Sequence, residues 1–386
     1  MPLDEHTEVV LVPKYYLPTL GGLQNFSARL ASALATRGHP VTVCFPRAPA
    51  YRAAMGGPPE PAGVTVCPLS EDRSIFWKVL PDQLRRLRPG ALVLAVGLEY
   101  AEVLDEQLSA LLRLRETGLR VWMRIATTGD FESRVDPRRA ERMARLSGLV
   151  VLNEAMKRET AAFPDVDRRT RRIPVMVDTL RYVPRPEAAR EVLRAHRGLP
   201  RTGRILLAAT RLDPRKRLDL LIMAFASAAP PSDTLWIVGD DPTPEGLERQ
   251  RLEALSRRLG LTRVVFTRGV TEDQMPQILA AADAFATASS VEGMSNAVLE
   301  AASVGLPVMG FAIPGVEDVS SALRGAGFFL APPDSGIPGL ADVLRQGLHP
   351  ASVRCWRSAR EQGLQHLSID AVVDAYLDAF REEVHA

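Results

Sequence analysis

Two carboxylates, Glu292 and Glu300, bracket the start of a short run with helical spacing, Gly293-Met294-Ser295-Asn296-Ala297-Val298-Leu299. Ser295 or Asn296 is suited to cap such a helix, and Gly305 is suited to end it. The backbone N–H groups near Met294 to Ala297 are then the unpaired donors of a helix start, an arrangement that suits a phosphate group. Glu300 lies about one turn inside, too deep to be mainly a cap, where a carboxylate accepts hydrogen bonds from a polyol such as a ribose. A blander reading stands beside this one: an acidic residue stabilised by the helix dipole, with a second on a solvated face. The bare pair of glutamates does not decide between them.

A second group of charges lies upstream. Arg211 and Lys216 fall between an apolar strand, Ile205 to Ala209, and a helix with Leu218, Leu221, Ile222 and Phe225 on one face. Two cations at a strand end and helix start hold a diphosphate and offset the charge that builds on it as it leaves. The alternative is a basic, solvated loop. Arginine supplies most of the 48 basic residues, and Lys14, Lys78, Lys157 and Lys216 are the lysines, so a lysine at this position carries weight.

The elements that position these residues alternate between strand and helix. Apolar strands are expected at Val9 to Val12, Val41 to Phe45, Leu92 to Val96, Val121 to Ile125 and Leu149 to Leu152 in the first half. In the second half they are expected from Arg204 to Ala209, at Leu235 to Val238, Val264 to Thr267 and Ala284 to Ala288, and from Leu306 to Phe311. Helical stretches between them indicate parallel sheets covered on both faces. Gly21-Gly22 opens the first helix, where two glycines allow a close approach of backbone to ligand. Residues 46 to 66, rich in Pro, Ala and Gly, read as a surface excursion. Phe76 to Leu80 and Leu84 to Arg88 form a basic amphipathic segment, read as a helix covering a sheet in preference to a membrane-docking one. Thr127, Thr128 and Asp130 follow a strand end and are candidates to hydrogen-bond a sugar; Asp130 equally suits a turn cap. His39 reads as a turn residue.

Composition bounds the class. A chain of 386 residues suffices for two domains with full cores, and 46% apolar with 24% charged residues is ordinary for a globular protein. A net charge of +2 gives no field that suggests a nucleic-acid partner. Cys44, Cys67 and Cys355 form no metal-ligand spacing and read as core fillers in a reducing compartment. No signal-peptide pattern or membrane-length apolar run is seen, so a cytoplasmic protein is expected.

Glu292-Gly-Met-Ser-Asn-Ala-Val-Leu-Glu300-Ala301, followed by Gly305-Leu306-Pro307-Val308, resembles the signature of family 4 of the retaining glycosyltransferases, a Glu, seven residues, then a Glu. The Arg211 to Lys216 spacing resembles that family's phosphate-binding pair, and Tyr15-Tyr16-Leu17-Pro18 with Gly21-Gly22 resembles its opening. Gly239-Asp240-Asp241-Pro242 is similar to its Gly-Asp-Gly-Pro turn, with Asp241 as the departure. Arg268-Gly269-Val270 resembles the loop whose backbone contacts the base, and Phe311 to Asp318 closes the site in the same pattern. Many relatives carry a histidine near Thr127; this chain does not.

The resemblance implies an α/β fold of two facing Rossmann-like domains, the GT-B architecture, with the active site in the interdomain cleft. Expected are an acceptor-binding domain over residues 1–185, a nucleotide-sugar domain over 186–365, and a terminal helix over 366–386 packing back on the first domain. It implies retaining transfer of a sugar from a UDP- or GDP-sugar to an acceptor hydroxyl. Arg211 and Lys216 would stabilise the leaving diphosphate, and Glu292 with the amides of Gly293, Met294, Ser295 and Asn296 would position the sugar. Glu300 would bind ribose, Gly239 and Val270 would line the nucleotide, and Gly21 and Gly22 would approach the phosphates or acceptor. No general base, metal or cofactor is called for. A soluble acceptor, such as a natural product or small glycoside, is expected ahead of a lipid-linked or polysaccharide one. The rivals are an inverting enzyme of this architecture, a nucleotide-sugar epimerase and a non-catalytic nucleotide-sugar binder.

Overall fold

The computed structural model describes residues 6–16, 21–47, 61–349 and 357–382. The chain divides into two compact units: Met1–Met176 with Ile369–Ala386, and Val177–Ser368.

The first unit is built on seven parallel strands: β1 (Val9–Pro13), β2 (Val41–Phe45), β3 (Val64–Pro68), β4 (Leu92–Val96), β5 (Arg120–Arg124), β6 (Gly148–Val151) and β7 (Thr170–Arg172). Their order in the sheet is β3-β2-β1-β4-β5-β6-β7. The chain therefore moves outward from β1 to β3, returns to the other side of β1, and moves outward again. β1 and β4 are buried along their whole lengths, as continuous apolar runs in a covered parallel sheet should be. The expected surface excursion over 46–66 is corrected at its end, where Val64 to Val66 begin β3, paired with Val41 to Val43 of β2. Its middle lies outside the described residues. The half-exposed burial of β3 gives little periodic signal, because an edge strand is specified by its pairing. That pairing also sets Cys44 opposite Cys67, both free thiols. Cys355 lies outside the described residues.

The first part of the amphipathic segment lies in the helix Arg73–Gln83, capped by Asp72, whose side chain accepts from the Ile75 N–H at 2.8 Å; the second part, Leu84 to Arg88, lies beyond the helix end in turns. Phe76, Trp77 and Leu80 are buried, while Lys78 and Val79 face solvent. His39 accepts its turn role, its Nδ1 lying 3.1 Å from the carbonyl of Thr7.

The second unit has six parallel strands: β8 (Ile205–Ala209), β9 (Thr234–Val238), β10 (Val264–Thr267), β11 (Ala284–Thr287), β12 (Val308–Phe311) and β13 (Phe328–Ala331). Their order, β10-β9-β8-β11-β12-β13, repeats the outward-and-return path. The first domain was expected to run to residue 185, whereas the second compact unit begins at Val177. Long-range pairing accounts for the difference: the Val177 N–H donates to the Leu367 carbonyl at 2.8 Å, and Arg181 pairs with Asp273. Neither contact leaves a trace in local composition.

The closing helix, Ile369–Arg381, belongs to the first unit and buries Val372, Val373, Tyr376, Leu377 and Phe380. Tyr376 packs on Phe26 with ring centroids 5.8 Å apart, and Phe380 meets the edge of Trp122 at 5.2 Å. Beside them the buried Arg124 guanidinium lies 3.8 Å from the Phe26 centroid. Phe380→Ala is expected to destabilise the first unit by about 3–5 kcal/mol, by loss of transfer energy and an unfilled cavity. A fall in the urea midpoint at unchanged slope would register it.

Candidate functional site

In an open parallel sheet, ligands bind outside the carboxyl ends of the strands where the strand order reverses. In the second unit that place lies between β8 and β11, and Arg211 and Lys216 follow β8 while Glu292 follows β11. The ladder extends one residue past β8, with the Thr210 N–H on the Val238 carbonyl at 2.9 Å. Gly239 is required beside it, since a Cβ there would lie 1.8 Å from the Thr210 oxygen.

Lys216 ends a short 3-10 turn, Pro214–Lys216, which Asp213 builds. The Asp213 carboxylate accepts from the Arg215 N–H at 3.0 Å and from Arg215 Nη2 at 2.9 Å, and its carbonyl accepts from the Lys216 N–H at 2.8 Å. The Arg215 hydrogen bond holds the Asp213 carboxyl down at about 2. Arg215 also takes part through its backbone: its carbonyl accepts from the Ser290 N–H at 2.9 Å, tying the turn to the loop after β11.

Across that loop Lys216 Nζ donates to Glu292 Oε1 at 2.6 Å, and Ser289 Oγ donates to the same oxygen at 2.8 Å. Both charged side chains are mostly enclosed, at 18% and 15% exposure. Glycine at 315 sets the floor: a Cβ there would meet the Gly293 oxygen at 2.6 Å and the Glu292 Cβ at 2.8 Å. The Gly315 carbonyl then accepts from the Ser295 N–H at 3.3 Å. Ser295 caps the helix Asn296–Ser303, and Gly293, Met294 and Glu300 are buried around it.

The structure thus brings Lys216 and Glu292 into direct contact, next to a helix start that carries Ser295 and Asn296. Glu300 is enclosed in the first turns of that helix at 5% exposure. Arg211 is exposed, and its charge is felt at Asp213. Gly239 closes the neighbouring strand end, and the Gly269 N–H next to Val270 donates to Asp240 Oδ1 at 3.0 Å. The sequence reading missed the parts played by Asp213 and Ser289. Asp-Pro before the cations was a visible turn signal; Ser289 gave none.

The first unit has its own reversal, between β1 and β4. Gly21 and Gly22 start the helix Gly22–Thr36 there, while Leu17 and Pro18 lie outside the described residues. Asp130 pairs with Arg134 at 2.8 Å, and Thr128 Oγ1 accepts from Asn153 at 3.3 Å. Lys14, next after β1, and Glu99, three residues past the end of β4, were not assigned by the sequence reading. Glu99 is fully buried and accepts from Arg73 Nη1 at 2.7 Å and Trp77 Nε1 at 3.3 Å. Lys14 donates to the Leu98 carbonyl at 3.1 Å and lies 3.9 Å from Glu99. Burial lowers the Lys14 ammonium to about 8, more than Glu99 raises it.

Two parallel-sheet units of this size and strand order define the GT-B glycosyltransferase architecture. The crystal structure of Anabaena Alr3699/HepE in complex with UDP and glucose has this fold, with a TM-score of 0.77 over 97% of this chain and 99% of that one. Sequence identity to it is 18%, so the likeness is one of fold. Residues 203–349, in the second unit, match the sequence profile of the family described as glycosyl transferases group 1. The lipopolysaccharide core biosynthesis glycosyltransferase LpsE of Rhizobium meliloti is 26% identical over 366 residues, 92% of this chain and 95% of LpsE. The GDP-mannose-dependent alpha-(1-6)-phosphatidylinositol monomannoside mannosyltransferase of Mycolicibacterium smegmatis is 36% identical over 147 residues. That match spans 36% of this chain and only 37% of the mannosyltransferase. Among the described residues no helix is long and apolar enough to cross a membrane.

Two outcomes are expected from these charges. Asp213→Asn should cost about 1 kcal/mol at neutral pH by weakening the turn cap. Because the folded carboxyl sits at about 2 against an ordinary 3.8, that difference is full above 3.8 and disappears as pH falls through 2. For Lys14 the folded value lies below the unfolded 10.5, so the unfolded chain binds more protons between about 8 and 10.5. Stability relative to Lys14→Met should therefore rise with pH across that window, as read by urea unfolding.

Proposed function

We propose that the chain is a retaining glycosyltransferase that transfers a sugar from a UDP- or GDP-sugar to an acceptor hydroxyl. The observation that carries this reading is the Lys216–Glu292 contact of 2.6 Å at a strand-order reversal, beside a capped helix start. A lysine held there meets a diphosphate together with Arg211, and the amides of Gly293, Met294, Ser295 and Asn296 add donors to the same anion or to the sugar.

In this reading Lys216 and Arg211 offset the charge that grows on the diphosphate as the glycosidic bond breaks. Glu292, already a partner of Lys216, orients the donor sugar by accepting from its hydroxyls. Glu300 accepts from the ribose. The departing phosphate oxygen takes the proton of the acceptor hydroxyl on the same face, so no side chain serves as general base. The sugar is replaced on the face it left, which retains its configuration. The cations occupy the role that a divalent ion would otherwise fill, and neither metal nor cofactor enters the reaction. Support for a nucleotide-sugar donor comes from the name of the mannosyltransferase relative, which specifies GDP-mannose. A lipid-linked acceptor is a second reading beside a soluble one, favoured by the names of both relatives, a lipopolysaccharide core enzyme and a phosphatidylinositol mannoside enzyme.

Calorimetric titration with UDP, GDP, ADP and dTDP in the presence of EDTA tests the donor site. One nucleotide is expected to bind, and Lys216→Ala to weaken it by at least ~1.5 kcal/mol, about tenfold. Binding that needs a divalent ion would remove the metal-independent reading, and no binding at all would remove the donor-site assignment.

A further inference from the structure

At the amino edge of the first unit's sheet, away from the strand ends where Lys14 and Glu99 sit, the chain forms a cavity of about 260 Å³. Its walls come from the turn before β4, the end of the helix Leu104–Glu116, the starts of β5 and β6, and the end of the closing helix. The strand starts are in register here, with Leu92 opposite Arg120 and Trp122 opposite Gly148. The Gly90 N–H donates to the Gly118 carbonyl at 2.9 Å, joining the turn before β4 to the one before β5. A Cβ at Gly148 would lie 2.4 Å from the Trp122 ring, so glycine there leaves room for the indole.

The charges around this cavity are unbalanced. Arg115, Arg120 and Arg169 line it, against Glu382 as the acidic side chain among the described lining residues. Glu382 is already engaged by a fourth cation, its Oε2 accepting from Arg171 Nε at 3.1 Å and pairing with Nη2 at 3.0 Å. Glu116, next to Arg115 in the chain, is paired with Arg145 at 3.3 Å. Arg120 is 7% exposed and shares a sheet face with Trp122, two residues on; its Nη1 donates to the Phe380 carbonyl at 3.4 Å. Trp122 and Phe380, edge to face at 5.2 Å, close the floor with apolar surface. Like charges gathered at one cavity repel one another, and a bound anion relieves that repulsion.

We propose that this cavity is a second binding site, for a soluble phosphate monoester whose organic part is a single small ring. A monoester carries roughly two negative charges at neutral pH, which matches the excess in the lining, whereas a carboxylate brings one. Its three terminal oxygens accept from more than one guanidinium fork at once. Size follows from the volume: the cavity is smaller than a drug-sized pocket and larger than inorganic phosphate fills. The ring of the ester therefore lies over the floor of Trp122 and Phe380. Such a ligand bridges the starts of β5 and β6 to the end of the closing helix, and by binding the folded chain alone it stabilises the first unit. The proposal is independent of the glycosyl-transfer reading, whose donor residues lie in the second unit.

Calorimetric titration of the full chain with phenyl phosphate and D-glucose 6-phosphate, in a phosphate-free buffer, tests this, with inorganic phosphate and benzoate as controls. At least one ester is expected to bind more tightly than either control, and equally well in wild type and in Lys216→Ala. Arg115→Ser and Arg169→Ser should each weaken it roughly 3- to 10-fold, the scale of one net hydrogen bond. Arg115 is exposed, so its replacement keeps the fold, which an unchanged urea midpoint without ligand would verify. Binding of neither ester, or equal binding in wild type and both arginine variants, overturns the proposal. So does inorganic phosphate binding as tightly as the esters, which would leave an adventitious ion only. Ester binding lost in Lys216→Ala would place the ligand at the donor site, rejecting this cavity while supporting that assignment.

Discussion

A parallel sheet wound outward from its first strand and then resumed on the other side must leave two neighbouring carboxyl ends whose connections run in opposite directions. Nothing in the backbone fills the gap between them. In each unit the groups that cross this gap are a lysine after the first strand and a glutamate after the return strand. The second unit closes it with a 2.6 Å contact; the first leaves 3.9 Å. The remaining features around each pair serve to keep it in place.

In the second unit this work falls to short-range chemistry. Asp213 fixes a turn of three residues so that Lys216 leaves it toward the β11 loop, and Ser289 shares the carboxylate that Lys216 meets. Glycine at 239 and 315 is needed for space, because backbone or side-chain atoms stand where a Cβ would be. In the first unit the same task falls to a helix. Arg73 and Trp77, one turn apart on Arg73–Gln83, both reach Glu99, so the helix that covers the sheet also sets the reversal point.

Much of this was legible in the residues. Apolar runs alternating with helical spacing specify parallel sheets, and every strand expected from such a run is present within a residue or two. The cap at Ser295 and the Asp-Pro turn before Lys216 are local chemistry, and local chemistry is what a sequence displays. The edge strands β3 and β7 were not legible, since β7 reads Thr-Arg-Arg and is a strand because it pairs with β6. The start of the second unit at Val177 was hidden for the same reason: it depends on a hydrogen bond to Leu367, far along the chain.

The sequence by itself determined the class of fold and the candidate donor residues Arg211, Lys216, Glu292 and Glu300, since these sit in local patterns of strand end, turn and helix start. Only the tertiary structure decided which strand ends are neighbours. Lys14 and Glu99 are 85 positions apart, in stretches with no periodic or turn signal of their own. Strand order depends on pairings between distant segments, and no short window of sequence contains both partners.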